Sequence, residues 1–239
     1  MKIKSDNYLA DYRESCDVDL SRGLSGYIRN RLDNMAVRKN QPDRHALFLP
    51  RVCNLFGLSL EKQLTVMEIG CGNGWAISYQ SPKVKYIAID RGSVFRTDLE
   101  SRGIEFHEAD VETTPLPIAN QSVDLILLNH VIEHIANTDY LVGELRRALR
   151  SNGYLYIRTP NLAKVGWSFW DDYTHVKPFT ESSLDHLMRT HNFKKAFSFH
   201  SDHTRIMIDL LFQSCFRTFV FGKFGGGKEI EAGYSLLDN

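Results

Sequence analysis

Apolar positions along this chain fall into two alternating rhythms. Short, nearly continuous runs at 66–69, 83–90, 104–107, 122–128 and 154–161 predict strands. The run at 122–128 is apolar enough to be a central parallel strand covered on both faces. The stretch 140–150 instead places Leu141, Leu145, Ala148 and Leu149 at helical spacing. Such strand–helix alternation predicts a doubly wound, mostly parallel sheet. Further on, 182–190 reads as a helix, 195–200 as an alternating strand, 206–220 as a strongly apolar helix, and 230–237 as a last, antiparallel strand. These make seven strands in an α/β fold. Residues 151–153 read as the turn before the fifth strand, and 225–227 as a glycine loop.

The first 62 residues lack strand rhythm. At 21–35, Tyr27, Ile28, Leu32 and Met35 share a helical face, and at 44–58 Ala46, Leu47, Leu49, Val52, Leu55 and Phe56 do the same. Pro50 should kink this second helix or mark its first turn. The expected organisation is therefore a helical cap over 1–62 followed by a ligand-binding domain over 63–239.

Composition narrows the function. With 43% hydrophobic and 24% charged residues the chain is a globular mix, and its formal net charge of zero supplies no global field for nucleic acid or anionic membrane. No apolar run approaches the roughly 20 residues of a membrane span, and no secretory leader is apparent. Cys16, Cys53, Cys71 and Cys215 are scattered without a C-x-x-C pair, as expected of reduced thiols in a cytoplasmic protein.

Candidate chemistry begins where the first strand ends. Glu68 is followed by Gly70, Gly72 and Gly74 at alternate positions, and then by a run that can begin a helix. Glycine permits φ > 0 and close approach of a ligand to the backbone, and a helix start offers free N–H groups. Trp75 stands where the dinucleotide fingerprint needs its third glycine. Asp90 ends the second strand, placed to accept both hydroxyls of a ribose; capping the following helix is the plainer alternative. The combination resembles class I S-adenosylmethionine-dependent methyltransferases: Glu68-x-Gly70-x-Gly72-x-Gly74 is similar to their motif I and Asp90 to motif II. The resemblance covers about 64–200. It implies a Rossmann-like methyltransferase fold and an S-adenosyl-L-methionine site formed by Glu68, Gly70, Cys71, Gly72, Gly74, Asp90, Arg91, Asp110, Val111 and Asn129, with Asp110 accepting from the adenine amino group.

Histidines supply the remaining candidates. His130-Val131-Ile132-Glu133-His134 matches H-x-x-E-H, the pattern of inverted zinc peptidases, but it leaves a strand of a nucleotide-type fold. A second polar cluster, 171–180, contains His175, flanked by Trp167, Phe169, Trp170 and Tyr173, which either line a substrate pocket or pack a lid. An unperturbed imidazole titrates near neutrality, so His175, with His134 and His130, can take the proton of a hydroxyl nucleophile. His175 can equally pin its loop while Thr180 caps the next helix.

The expected activity is thus methyl transfer, at oxygen, to a small-molecule or saccharide or lipid-linked acceptor. No bound metal is expected. Glu133, His134 and His175 do resemble part of the metal set of small-RNA 2′-O-methyltransferases, with His130 where those enzymes have a first Glu, so metal-assisted methylation of RNA ends is one alternative. A non-catalytic cofactor-binding subunit is another. Nucleic acid is not the expected partner. The apolar stretch 206–221 is read as core packing first, and as a dimer face or peripheral membrane contact second.

Overall fold

The computed structural model describes residues 45–201 and 228–237. Helices and strands follow in the order α1 (Phe48–Leu55), β1 (Leu64–Ile69), β2 (Val84–Asp90), α2 (Arg96–Ser101), β3 (Glu105–Glu108), β4 (Val123–Asn129), α3 (Thr138–Ala148), β5 (Leu149–Pro160), α4 (Leu162–Val165), α5 (Glu181–Thr190), β6 (Phe193–Ser201) and β7 (Glu229–Leu236). The strands form one seven-stranded sheet in the order β3-β2-β1-β4-β5-β7-β6. Strands β1 to β5 pair in parallel, and β7 runs antiparallel to both neighbours. The mostly parallel sheet is as expected from the apolar runs.

Both faces of the sheet are covered, which is why the central strands show no polar alternation. On β4, Ile126 and Leu128 join Met67, Ile87, Leu155 and the α3 and α5 residues Leu145 and Leu184 on one side. Leu125 and Leu127 join Val66, Tyr156 and the α1 residues Leu49 and Val52 on the other. Each fully buried aliphatic side chain of this kind contributes about 1.5–3 kcal/mol relative to exposure. Helix α5 begins as the sequence suggests: Thr180 accepts from Ser183 N, and the Ser183 side chain returns the bond to complete a capping box.

A 3-10 turn, His45–Leu47, leads into α1, and Pro50 lies in its first turn, where no intrahelical N–H is needed. Polar chemistry then fastens α1 to the sheet. Arg51 Nη1 lies 2.8 Å from Glu231 Oε2, to which Tyr156 also donates at 2.7 Å. The earlier part of the expected cap (1–44), the apolar stretch 206–220 and the 225–227 loop lie outside the described residues. Among the described residues, no helix is long and apolar enough to cross a membrane.

Two local expectations are corrected. No helix follows the glycine loop: 75–83 is a string of turns and coil. Pro82 disfavours helical geometry at the residue before it. Ser81 is held meanwhile by Leu60 O and the Tyr86 hydroxyl, and Trp75 packs edge-on against Phe48 at 4.9 Å. These tertiary anchors outcompete the costly first turn of a short helix. The second correction concerns 151–153, which is not a separating turn but a bulge inside β5. Pairing jumps from Val123↔Leu149 to Leu125↔Tyr154. Asn152 takes φ +64° there, and a Cβ on Gly153 would come within 2.9 Å of the Arg150 carbonyl.

Candidate functional site

The carboxyl ends of β1, β2 and β4 converge on the glycine loop. Gly70, Gly72 and Gly74 all have positive φ, at 65°, 49° and 69°, but they serve differently. A Cβ on Gly70 would lie 2.5 Å from Val131 and one on Gly74 2.5 Å from Leu99, whereas one on Gly72 would meet nothing within 4 Å. The outer two glycines permit packing, and the middle one faces open space. Asp90 braces this middle position: its Oδ2 accepts from Gly72 N at 2.9 Å and its Oδ1 from Gly92 N at 3.0 Å.

Beneath the loop, Glu68 is almost fully buried, and Asn129 Nδ2 donates to its Oε1 at 3.4 Å. Burial pushes the Glu68 carboxyl up to about 8, and nearby Asp90 adds to that effect. The Asn129 bond and Arg102 only partly offset it. Burial therefore favours the protonated form of the Glu68 carboxyl. Glu68 Oε2 and Asn129 Oδ1 are buried with no hydrogen-bond partner among the described residues. Two such atoms beside an open glycine form a polar cradle suited to a ligand. Cys71 is buried, and burial raises its thiol, so it lines the cradle un-ionised.

With no helix to rigidify the loop, Arg102 holds it from outside. Its Nη1 donates to Asn73 O at 3.0 Å and its Nη2 to Gly74 O at 3.2 Å. Sequence reasoning missed this residue, because it follows α2 and carries no motif. The other expected contacts are dispersed. Arg91 is exposed and Val111 belongs to the core. Asp110 is half-buried beyond β3, its Oδ1 accepting from Glu112 N.

A second cluster forms where the segments after β4 and β5 meet. Glu133 is fully buried and holds both segments: its Oε2 accepts from Thr159 at 2.9 Å, while its carbonyl accepts from Val176 N and Lys177 N. His134 and His175 come together across this junction with ring centroids 4.8 Å apart. His175 Nδ1 lies 2.6 Å from Phe169 O. A carbonyl only accepts, so this nitrogen carries a proton, and in the neutral ring Nε2 keeps the lone pair. His134 Nδ1 faces Thr174 O at 3.2 Å and Thr174 Oγ1 at 2.9 Å, which assigns the same tautomer. Burial works against ionisation of Asp172, yet bonds from Thr174 hold it below the usual carboxylate range, 3.8 Å from His175 Nε2. One ligand atom each from Glu133, His134 and His175 lies within 4.8 Å of the others.

His130 is differently placed. Its Nδ1 faces Glu133 and its Nε2 faces Glu229, so both nitrogens are turned to carboxylates. That arrangement suits a charged structural donor rather than a base. Glu229 comes from β7 and pairs also with Arg158; nothing local in the sequence announced that meeting. Of the aromatic residues nearby, Phe169 is buried against His175 at 4.4 Å, while Trp167 and Tyr173 are 89% and 77% exposed and therefore pack no core.

A family model described as a methyltransferase domain matches residues 38–196. The chain is 32% identical over 123 residues to a probable S-adenosylmethionine-dependent methyltransferase of Mycobacterium tuberculosis, a match covering 50% of this chain and 43% of that protein. It is 26% identical over 138 residues to a ubiquinone biosynthesis O-methyltransferase of Sinorhizobium fredii, covering 52% and 54%. The match thus spans about half the length of these curated relatives. A SAM-dependent methyltransferase structure from Archaeoglobus fulgidus superposes with a TM-score of 0.58 at 16% identity, covering 79% of this chain and 91% of that one, which shows a shared fold.

Proposed function

This chain belongs to the methyltransferase-domain family, and on that premise we propose that it transfers a methyl group from S-adenosyl-L-methionine to an oxygen of a small-molecule, saccharide or lipid-linked acceptor. The observation that carries this reading is the cradle at the ends of β1, β2 and β4. There, Asp90 braces open Gly72, and Glu68 and Asn129 each keep a buried polar atom without a partner among the described residues. Asp90 would accept from the ribose hydroxyls while keeping Gly72 in place, and half-buried Asp110 would meet the adenine amino group. When bound, the cofactor supplies an electrophilic methyl group on a sulfonium.

Methyl transfer is an in-line displacement, so the protein contributes by aligning the acceptor and excluding water. A hydroxyl acceptor must also lose its proton. His175 suits the role of base, because Phe169 O fixes its tautomer and Nε2 is left to take the proton. Calorimetry with S-adenosylhomocysteine tests the cofactor site, and transfer of labelled methyl from S-adenosylmethionine into fractionated extract tests the activity. Absence of binding would reject the reading.

A second reading has its own observation. The convergence of Glu133, His134 and His175 can hold a divalent ion that orients the acceptor oxygen. It predicts activity lost to chelators and restored by Mg²⁺, Mn²⁺ or Zn²⁺.

A further inference from the structure

We propose that the acceptor is a neutral oligosaccharide or glycoconjugate, held in the open cavity next to the transfer site; this rests on the methyl-transfer reading and narrows its substrate. The cavity, of about 420 Å³, lies between the end of β5, the start of α5 and the end of β6. It is lined chiefly by Asn161, Lys164, Glu181, Asp185, Lys195 and His200.

Its chemistry selects the ligand class. Lys195 Nζ lies 3.4 Å from Glu181 Oε1 and 3.8 Å from Asp185 Oδ2, and His200 Nε2 lies 3.4 Å from Glu181 Oε2. Donors and acceptors are interleaved, and both carboxylates face Lys195 within the wall. A hydrocarbon chain would strand these polar groups, at a cost in desolvation. A polyanion such as RNA would bring its phosphates against Glu181 and Asp185. A polyol both donates and accepts at every hydroxyl and matches the interleaved wall. Asp185 Oδ1 and the Tyr234 hydroxyl are buried without a hydrogen-bond partner among the described residues. Burial raises the Tyr234 hydroxyl, and the charges of Asp185 and Glu181 raise it further.

Exposed aromatic rings lie a few residues along the chain from the cavity's Lys164, outside its lining. Trp167, Trp170 and Tyr173 follow Lys164 on the segment that leads to His175, and each keeps much of its surface exposed. A pyranose presents an apolar C–H face that covers such a ring while its hydroxyls stay hydrogen-bonded. Position argues for an extended ligand. The register pairs Pro160 with Glu229, and Ser201 with Glu229. The cavity therefore shares the carboxyl edge with the His130–His134 segment, running from Asn161, one strand step from β4, out to His200, three steps away in the order β4-β5-β7-β6. At about 4.8 Å per step that is roughly 14 Å, more than one sugar ring spans.

The test is calorimetry of the full chain against a panel of neutral and anionic oligosaccharides, with S-adenosylhomocysteine titrated separately. At least one neutral oligosaccharide should bind. Trp167→Ala, at an exposed position, and Asp185→Asn should each weaken that binding about tenfold, leaving S-adenosylhomocysteine affinity unchanged. If S-adenosylhomocysteine binds but no neutral saccharide does, or if both variants bind the saccharide as tightly as wild type, the saccharide site is wrong. Saccharide binding without S-adenosylhomocysteine binding would keep the site and overturn the methyl-transfer reading instead.

Discussion

Glu133 Oε1 lies 3.2 Å from Nδ1 of His130, whose Nε2 lies 3.4 Å from Glu229 Oε1, so one imidazole is held between two carboxylates. Burial opposes the charge, yet the bonds and charges of Glu133 and Glu229 lift His130 to about 9. Unfolded, it titrates near 6.5, so the fold binds more protons between these values. The stability it contributes is full below about pH 6.5 and is lost as pH rises through about 9. His130→Gln should flatten the melting temperature over that window, and NMR should find the wild-type ring protonated at pH 7.5.

Glu68 adds a second alkaline loss. Its folded value of about 8 exceeds the ordinary 4.5, so its share of stability is full below pH 4.5 and declines as pH rises through 8. The slope is at most about 1.4 kcal/mol per pH unit for one fully buried group. Glu68→Gln should remove that slope in urea melts recorded from pH 5 to 8; an unchanged slope would mean that Glu68 is ionised in the fold.

The cofactor cradle predicts opposite outcomes at two glycines. Gly72→Ala adds a Cβ into open space at positive φ, so it should cost about 1–2 kcal/mol of stability and abolish S-adenosylhomocysteine binding. Gly70→Ala drives a Cβ to 2.5 Å from Val131 and should destabilise the fold before binding can be read. Asp90→Ala should weaken binding by about 2–4 kcal/mol through lost charge-assisted bonds. Calorimetry showing equal affinity would remove Asp90 from the ribose role.

His175→Ala separates base from ligand. As a base, its loss should leave S-adenosylhomocysteine affinity intact and lower turnover about 10²–10⁴-fold. As a metal ligand, its loss should match the effect of chelating the wild type. A variant that only melts earlier while keeping its turnover would assign His175 to pinning the loop through Phe169 O.

Arg51 tests how α1 is fastened. Arg51→Met removes the guanidinium 2.8 Å from buried Glu231 and should cost about 3–5 kcal/mol in denaturant unfolding. Adding Glu231→Gln to that variant should recover much of the loss, since the stranded charge is then gone.

Residue pattern alone dictates which segments are strands, because a strand buried on both faces must be nearly all apolar, as β4 is. It likewise marks the glycine corner, the Asp90 strand end and the Thr180 cap, since positive φ and capping depend on neighbouring residues alone. The remaining features arise from how the elements assemble. Insertion of β7 between β5 and β6 brings Glu229 to His130 and Glu231 to Arg51. Contacts outside the segment keep 75–83 from forming a helix, and Arg102 takes over the bracing of the glycine loop. Local rhythm records which side of an element faces the core; which distant side chains meet there follows from strand order, and no short-range pattern encodes that.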